Sequence, residues 1–479
     1  MFISEDFSIK SGPFTSEPDS LRAFRCPEWF RDAKLAFWSH WGPQAVPMYG
    51  DWYARHMYLE GHDQYRHHWR VYGHPSRHGY DEIARSWKAE NFDPDGLMDL
   101  FAAAGAKYFV GQAMHHDNFD NFDSAHQPWN SVKVGPKKDI CGLWKAAAVK
   151  RGLPFGLTEH LGASFNWWGT NKGADKSGPY AGVPYDGRDP AKAQFYYDNE
   201  GYSLEKGWYT DNEAFHRHWF LRIKDVIDKY QPDLLYSDGG VPFGEVGRSI
   251  IAHLYNTSAA LHGENRAVYN QKDTDPQVYT FGVLDIERGQ MTEIAEHPWQ
   301  TDTSVGDWFY NVRDVYKTPN QVLESLIDIV AHNGNLLLNI PQKPDGALDD
   351  ECDFLLRRLA KWMPAQGEGI FGSRPHDTAA EGPTKAEGGA FKEAATDFTP
   401  RDFRYTRKGE TLYAYQMRAG AATATLHALG PASAKRASRV TLLGGPSLPF
   451  EQSAEGLSVT LPEGDAQMGP RGVRIEFGG

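Results

Sequence analysis

Short apolar runs alternate with segments of helical period across roughly the first 330 residues, and this alternation constrains the fold more than any other feature. The run Leu35–Trp41 reads as a strand that reaches His40. Asp93-Pro94 supplies an N-cap and a proline at the first helical position; Leu97, Leu100, Phe101 and Ala104 follow on one face, and Gly105 ends the helix. Lys107–His116 reads as the next strand and ends in two histidines. A helix from Asp139 closes at Arg151-Gly152, and Pro154–His160 is a strand ending in Glu159 and His160. Phe215, Trp219, Ile223, Val226, Ile227 and Tyr230 share one face of a helix over about 212–230. The run Pro232–Gly240 then delivers Asp238 at a strand tip, followed by two glycines. Further strands are predicted at Ala267–Asn270, Val283–Ile286 and Leu336–Ile340, with a helix capped by Thr318-Pro319 before the last. So many βα units favour a closed (β/α)8-like barrel of TIM type over an open sheet. No GxGxxG or GxxxxGK[ST] follows a strand, which removes support for a nucleotide-binding sheet. The weakly defined strands at Ala267 and Val283 predict an irregular barrel.

The pattern changes after Gly369–Pro375. Residues 376–395 are rich in Gly, Ala, Glu and Lys and read as an exposed linker or long loop. Beyond them, Phe403–Tyr405, Leu412–Met417, Ala422–Leu429, Arg439–Leu443, Leu457–Leu461 and Val473–Phe477 are short runs separated by turns, the signature of an all-β sandwich. The expected division is a catalytic barrel over 1–375 and a C-terminal β-sandwich over 376–479.

A net charge of −13 argues against a nucleic-acid or anionic-membrane partner. No apolar run is long enough for a transmembrane helix. The N-terminus carries acids where a signal peptide carries bases and then a long apolar core. A cytoplasmic location is expected, or a periplasmic or secreted one if a signal has been removed. Cys26, Cys141 and Cys352 are widely spaced and odd in number, so they predict buried thiols in a reducing compartment rather than disulfides or a zinc site.

The strand ends together present His40, His115, His116, Asp117, Glu159, His160, Asp238 and Glu287. Asp238 by itself has an ordinary explanation as a turn or helix-capping residue. As a set, the residues fit two chemistries. Histidines and carboxylates could hold a metal for hydrolysis. Against that, His115 and His116 are neighbours whose side chains should leave a strand on opposite faces, and no HxH or HExxH spacing occurs at these strand ends. The second chemistry is glycoside hydrolysis, in which one carboxylate attacks or stabilises the anomeric carbon and another protonates the leaving oxygen. Neutral histidines would bind hydroxyls, and the abundant loop aromatics, as in Trp38–Pro43 and Asn166–Gly169, would stack on sugar faces. Neither metal nor other cofactor is expected in this reading.

Several segments, in order, resemble the α-L-fucosidases of glycoside hydrolase family 29. They are Trp29–Pro43 with Val46-Pro47 and Asp51–Arg55, His115–Phe119 with Phe122–Ser124, Pro232–Gly240, Asn333–Pro341 with Asp345-Gly346, and Gly367–Pro375. The resemblance implies a retaining α-L-fucosidase that acts on fucosylated oligosaccharides or glycoconjugates, with a barrel-like catalytic domain and a C-terminal sandwich. It puts Asp238 in the nucleophile's place and His40, His115 and His116 at positions that bind fucose hydroxyls. Trp52 matches an aromatic near the sugar, preceded here by Asp51 where the family often has Glu. His160, or a tryptophan of Trp167-Trp168, takes the place of a tyrosine, and Trp308 is expected to line the pocket. The acid/base is assigned to Glu287 by order and context, with Glu296 and Glu293 behind it. Where many members carry Asn-Asp-Arg, this chain has Asn270-Gln-Lys272, which leaves open whether Lys272 makes the arginine's contact. A carbohydrate-binding protein on an inactive catalytic fold stays as the alternative from another functional class.

Overall fold

The computed structural model describes residues 7–393, 396–420, 422–430 and 435–478. Eight parallel strands close a barrel in sequence order: β1 (Leu35–Ser39), β2 (Tyr108–Met114), β3 (Phe155–Glu159), β4 (Leu234–Ser237), β5 (Val268–Gln271), β6 (Val283–Asp285), β7 (Trp299–Ser304) and β8 (Gly334–Asn339). β8 returns to pair with β1, Leu35 against Leu336 through Trp38 against Asn339. Helices close onto the outside at short range. A Cβ added at Gly111 on β2 would lie 2.6 Å from the Trp144 ring, so only glycine admits that helix so close.

The helix ends follow from the capping residues. Asp93 accepts from the Gly96 N–H (3.0 Å) ahead of the helix Pro94–Ala103, and Asn212 accepts from the Phe215 N–H (3.0 Å) ahead of Glu213–Tyr230. Thr318 and Gln321 make a reciprocal capping box on Pro319–Ala331. Each such cap contributes about 0.5–2 kcal/mol relative to alanine.

Two departures from the sequence expectation are informative. The first is β7, Trp-Gln-Thr-Asp-Thr-Ser, which has no apolar pattern yet is buried at every residue. A polar network stands in for hydropathy. Gln300 Nε2 donates to Asp285 (2.6 Å), Tyr108 OH donates to Gln300 (2.7 Å), Tyr236 OH donates to Asp302 (3.1 Å) and the Thr301 hydroxyl donates to the Ile286 carbonyl (2.7 Å). The arc around β6 is also the most sparsely paired part of the barrel: β5–β6 and β6–β7 each register over only two residue pairs. The irregularity predicted near Val283 lies there.

The second departure concerns the stretch expected as a linker or long loop. It begins with β9 (Arg374–Glu381), which crosses the expected 375/376 division and pairs with β10 (Phe403–Lys408). β9 has few β-branched or aromatic residues, so its partner rather than its own pattern orders it. With β11 (Thr411–Gln416), β13 (Ala437–Leu442) and β16 (Arg471–Phe477) these form an antiparallel sheet in the order β13-β16-β11-β10-β9. A smaller sheet, β12-β15-β14, contains β12 (Ala422–Leu426), β15 (Leu457–Leu461) and the short β14 (Phe450–Gln452), which the sequence pattern did not reveal. Phe403, Tyr405, Val440 and Ile475 of one sheet pack with Leu426, Leu457 and Val459 of the other, which makes the sandwich.

The sandwich is tied to the barrel by a buried ion pair between Arg404 and Asp328 and by the Trp362 indole donating to the Pro470 carbonyl (2.7 Å). Between β9 and β10 the chain runs back to the barrel mouth. There the N–H groups of Gly389, Phe391 and Glu393 donate to the carbonyls of Gln290 (2.8 Å), Glu287 (2.9 Å) and Arg288 (2.9 Å). The three cysteines are unpaired, Cys141 and Cys352 buried and Cys26 half-buried. Among the described residues no helix is long and apolar enough to cross a membrane.

Candidate active site

The C-terminal ends of the strands surround a pocket of about 510 Å³. His40 follows β1, His115 and His116 follow β2, His160 follows β3, Asp238 follows β4, Lys272 follows β5, Glu287 follows β6 and Asp302 lies on β7. Asp51, Trp52, Trp208 and Trp308 complete the walls. Asp238, Glu287, His40, Asp51, Trp52, His115, His116, His160 and Trp308, all expected at the site from the sequence, therefore line one cavity.

Asp238 extends the β4 ladder, its N–H donating to the Glu159 carbonyl (3.1 Å). Gly239 follows with φ +112°; a Cβ there would meet the Tyr209 hydroxyl at 2.4 Å and Trp208 Nε1 at 3.0 Å. The glycine thus lets Trp208 pack against the turn after Asp238, and its indole donates to the Asp238 carbonyl (3.3 Å). Asp238 Oδ2 lies 3.4 Å from His116 Nε2, and Oδ1 accepts from Lys272 Nζ at 2.7 Å. The same ammonium donates to Glu287 Oε2 at 2.5 Å and stands 3.8 Å from Asp302. Lys272 is thus the cation shared by both carboxylates.

This charge arrangement separates the two carboxyls. Burial pushes Asp238 upward, but the Lys272 ammonium and the His116 hydrogen bond outweigh it and hold the group well below 3.8. Burial raises Glu287 to about 7; Lys272 opposes the rise, while Asp302 and Asp238 add to it. Near neutral pH one carboxyl is an anion and the other retains a proton for a substantial fraction of the time. Beneath Lys272, Asp285 is pushed well above its ordinary value by burial and by Asp302.

His40, His115 and His160 are held as neutral hydrogen-bonding groups. Burial, reinforced by neighbouring imidazoles, lowers His40 and His115 well below 6.5, and burial takes His160 to about 3. Neither ring nitrogen of His40, nor Nδ1 of His116 or His160, has a protein partner. His115 Nδ1 is 2.7 Å from Gln44 Nε2. The His40 N–H donates to Asn339 Oδ1 (2.9 Å), whose amide donates in turn to the Trp308 carbonyl (2.9 Å), so Asn339 at the end of β8 sets both walls. Trp52 adopts φ +58° and faces His116 edge-on with ring centroids 6.2 Å apart, and it stacks toward Trp208 across 6.4 Å. Burial and Asp307 raise Asp51 well above 3.8, and its Oδ1 has no protein partner.

The expectation that His115 and His116 diverge is corrected: both lie beyond the last residue of β2, where strand alternation no longer applies, and their rings are 4.4 Å apart. Single ligand atoms of His40, His115 and His160 lie within 4.8 Å of one another, a spacing that could hold a cation. Glu293 and Glu296 are exposed and away from this pocket. Glu296 lines a groove at the opposite end of the barrel beside Arg22 and Tyr279, and Glu293 lines another beside β9. Glu159 is turned into the core, where the Leu161 N–H (2.9 Å), the Gly162 N–H (3.2 Å), the Trp219 indole (3.0 Å) and the Ser237 hydroxyl bind it. Asp117 accepts from Tyr80 (2.6 Å) and is likewise structural. Trp168 donates to the Ala54 carbonyl behind the pocket, and His160 occupies the wall itself. Trp208, Asp302 and Phe391 were not anticipated as pocket residues. For Trp208 and Phe391 the only signal in the sequence is a large aromatic beside glycines.

The family model described as alpha-L-fucosidase matches residues 1–368. Tissue alpha-L-fucosidase of Rattus norvegicus is 29% identical over 381 residues, covering 77% of this chain and 74% of that protein. The Homo sapiens tissue enzyme is 26% identical over 485 residues, covering 97% and 90%. Among solved structures, Thermotoga maritima alpha-fucosidase in complex with fucose superposes with a TM-score of 0.73 at 23% identity, covering 96% of this chain and 100% of that one; it is a likeness of fold.

Proposed function

The chain belongs to the α-L-fucosidase family, and from that premise we propose that it hydrolyses α-L-fucosides of fucosylated oligosaccharides or glycoconjugates with retention, through Asp238 and Glu287. Asp238, ionised, attacks C1 of fucose as Glu287 gives its proton to the leaving oxygen, and a fucosyl ester forms on Asp238. Glu287, now the base, takes a proton from water, which attacks C1 and restores Asp238 as the carboxylate.

The observation that carries this reading is the shared Lys272 ammonium, 2.7 Å from one carboxylate and 2.5 Å from the other. The two bridged oxygens are no farther apart than those two contacts laid end to end. That supports the about 5–5.5 Å carboxyl separation of a retaining pair over the about 6.5–9.5 Å that an inverting pair needs for its water. His40, His115, His116, His160 and Asp51 would take the fucose hydroxyls, while Trp52, Trp208 and Trp308 would pack on the ring. Proton NMR of the first product released from an α-L-fucoside tests the stereochemistry: α-fucose is expected first, and β-fucose as the first anomer would overturn the mechanism.

A metal-dependent reading is favoured by one observation, the close approach of His40, His115 and His160. In the carboxylate reading the same three imidazoles are hydroxyl binders and no metal is required. Exhaustive chelation followed by elemental analysis separates the two, because lost activity restored by a stoichiometric metal would favour the metal reading.

A further inference from the structure

Phe391 is a large apolar residue, 66% exposed, in a left-handed backbone conformation (φ +56°) that residues with a Cβ rarely adopt. Neither its burial nor its backbone gives the fold a reason to keep it. Its location does. It belongs to the segment between β9 and β10, yet it lines the pocket at the barrel mouth.

The segment is fixed there as a strap. Its N–H groups at 389, 391 and 393 are bonded to the carbonyls of residues 290, 287 and 288. The Glu393 carboxylate accepts from Arg288 (3.0 Å), Lys317 (3.0 Å) and Thr303 (2.6 Å), with only 19% of its side chain exposed. Arg288 in turn lies 4.7 Å over the Trp308 ring, so the anchor is continuous with the pocket wall. The Gln290 amide donates to the carbonyls of Glu387 (2.8 Å) and Lys392 (3.1 Å). Anchored on both sides, Phe391 has its own N–H on the carbonyl of Glu287 (2.9 Å).

We propose that Phe391 is a specificity residue that forms the platform for the leaving group, stacking on the apolar face of the pyranose to which fucose is attached. The inference rests on Glu287 being the acid, since the acid must stand at the glycosidic oxygen and so marks where the leaving sugar begins. An aromatic ring carried at the rim on an anchored backbone beside that residue meets the leaving sugar rather than fucose. Such a contact is uncharged and is made through C–H groups. It therefore selects carbohydrate over a small leaving group and tolerates different hydroxyl patterns.

The test compares wild type, Phe391→Ala and Phe391→Trp on α-L-fucosyl fluoride, which has no leaving sugar, and on an α-L-fucosyl disaccharide. Phe391→Ala should lower kcat/KM for the disaccharide about three- to tenfold more than for the fluoride, and Phe391→Trp should restore the ratio. Equal losses on the two substrates, or no loss on the disaccharide, would overturn the proposal. Binding of the intact disaccharide to Asp238→Ala, with and without Phe391→Ala, reads the same contact without turnover. Failure of wild type to cleave the fluoride would count against the Asp238–Glu287 mechanism, whereas unchanged disaccharide affinity on removing the ring would count against Phe391.

Discussion

The Lys272 ammonium lies 2.7 Å from the Asp238 carboxylate, and with its other contacts it serves three acids at once. It favours the charged form of both catalytic carboxyls, so its removal should raise both of their pKa values. Lys272→Met should then shift both limbs of the kcat/KM profile to higher pH and lower the maximum. Lys272→Arg should partly restore the position of the limbs. A general loss of activity with the limbs unmoved would show that the lysine serves only folding.

The pH profile of the native protein follows from the same two groups. Glu287, raised to about 7, donates only when protonated, so kcat/KM should fall as pH rises through about 7. Asp238 is held well below 3.8 and attacks only when ionised, so the acid limb should lie below the ordinary carboxylate range. His40, His115 and His160 are pushed well below 6.5 and stay neutral in between. A single limb rising through about 6.5 would contradict the assignment.

Asp238→Ala should cost roughly four orders of magnitude or more in turnover, with partial recovery by azide as an external nucleophile. Glu287→Ala should cost about 10²–10⁴-fold on substrates with poor leaving groups and much less on activated ones. Leaving-group dependence appearing in Glu296→Ala instead would move the acid role.

His40→Asn and His160→Asn should each weaken inhibition by free fucose by about 1–3 kcal/mol, the cost of leaving buried hydroxyls without partners. Asn339→Ala should show a similar loss although Asn339 lines no part of the pocket, because it holds both the His40 N–H and the Trp308 carbonyl. Titration calorimetry with fucose reads both cases; unchanged affinity in Asn339→Ala would show that packing alone sets those walls.

Much of this was legible in the sequence because apolar runs and capping residues carry it. β1 to β4 and β8 announce themselves through hydropathy, and Asp93, Asn212 and Thr318 mark where helices begin. β7 was illegible because its buried side chains are polar and bonded to partners elsewhere in the barrel. β9 depends on its partner for order. The divergence expected of His115 and His116 fails because the strand ends one residue before them. Spacing alone could not rank Glu287 against Glu293 and Glu296; the three-residue β6 and the left-handed Arg288 (φ +44°) turn the chain so that only the first of them faces the pocket. Phe391 was hidden because the glycines around it read as slack chain, whereas they let the segment dock.

The sparse pairing on either side of β6 has a consequence for durability. Asp238 follows a strand paired over four residues on its β3 side, whereas Glu287 hangs from one with two pairs on each side. Heat should therefore open the barrel first at the acid's strand, while the remaining wall still holds its shape. The temperature at which the enzyme stops working should fall measurably below the one at which it melts, and amides of 283–287 should exchange hydrogen ahead of those of 234–238.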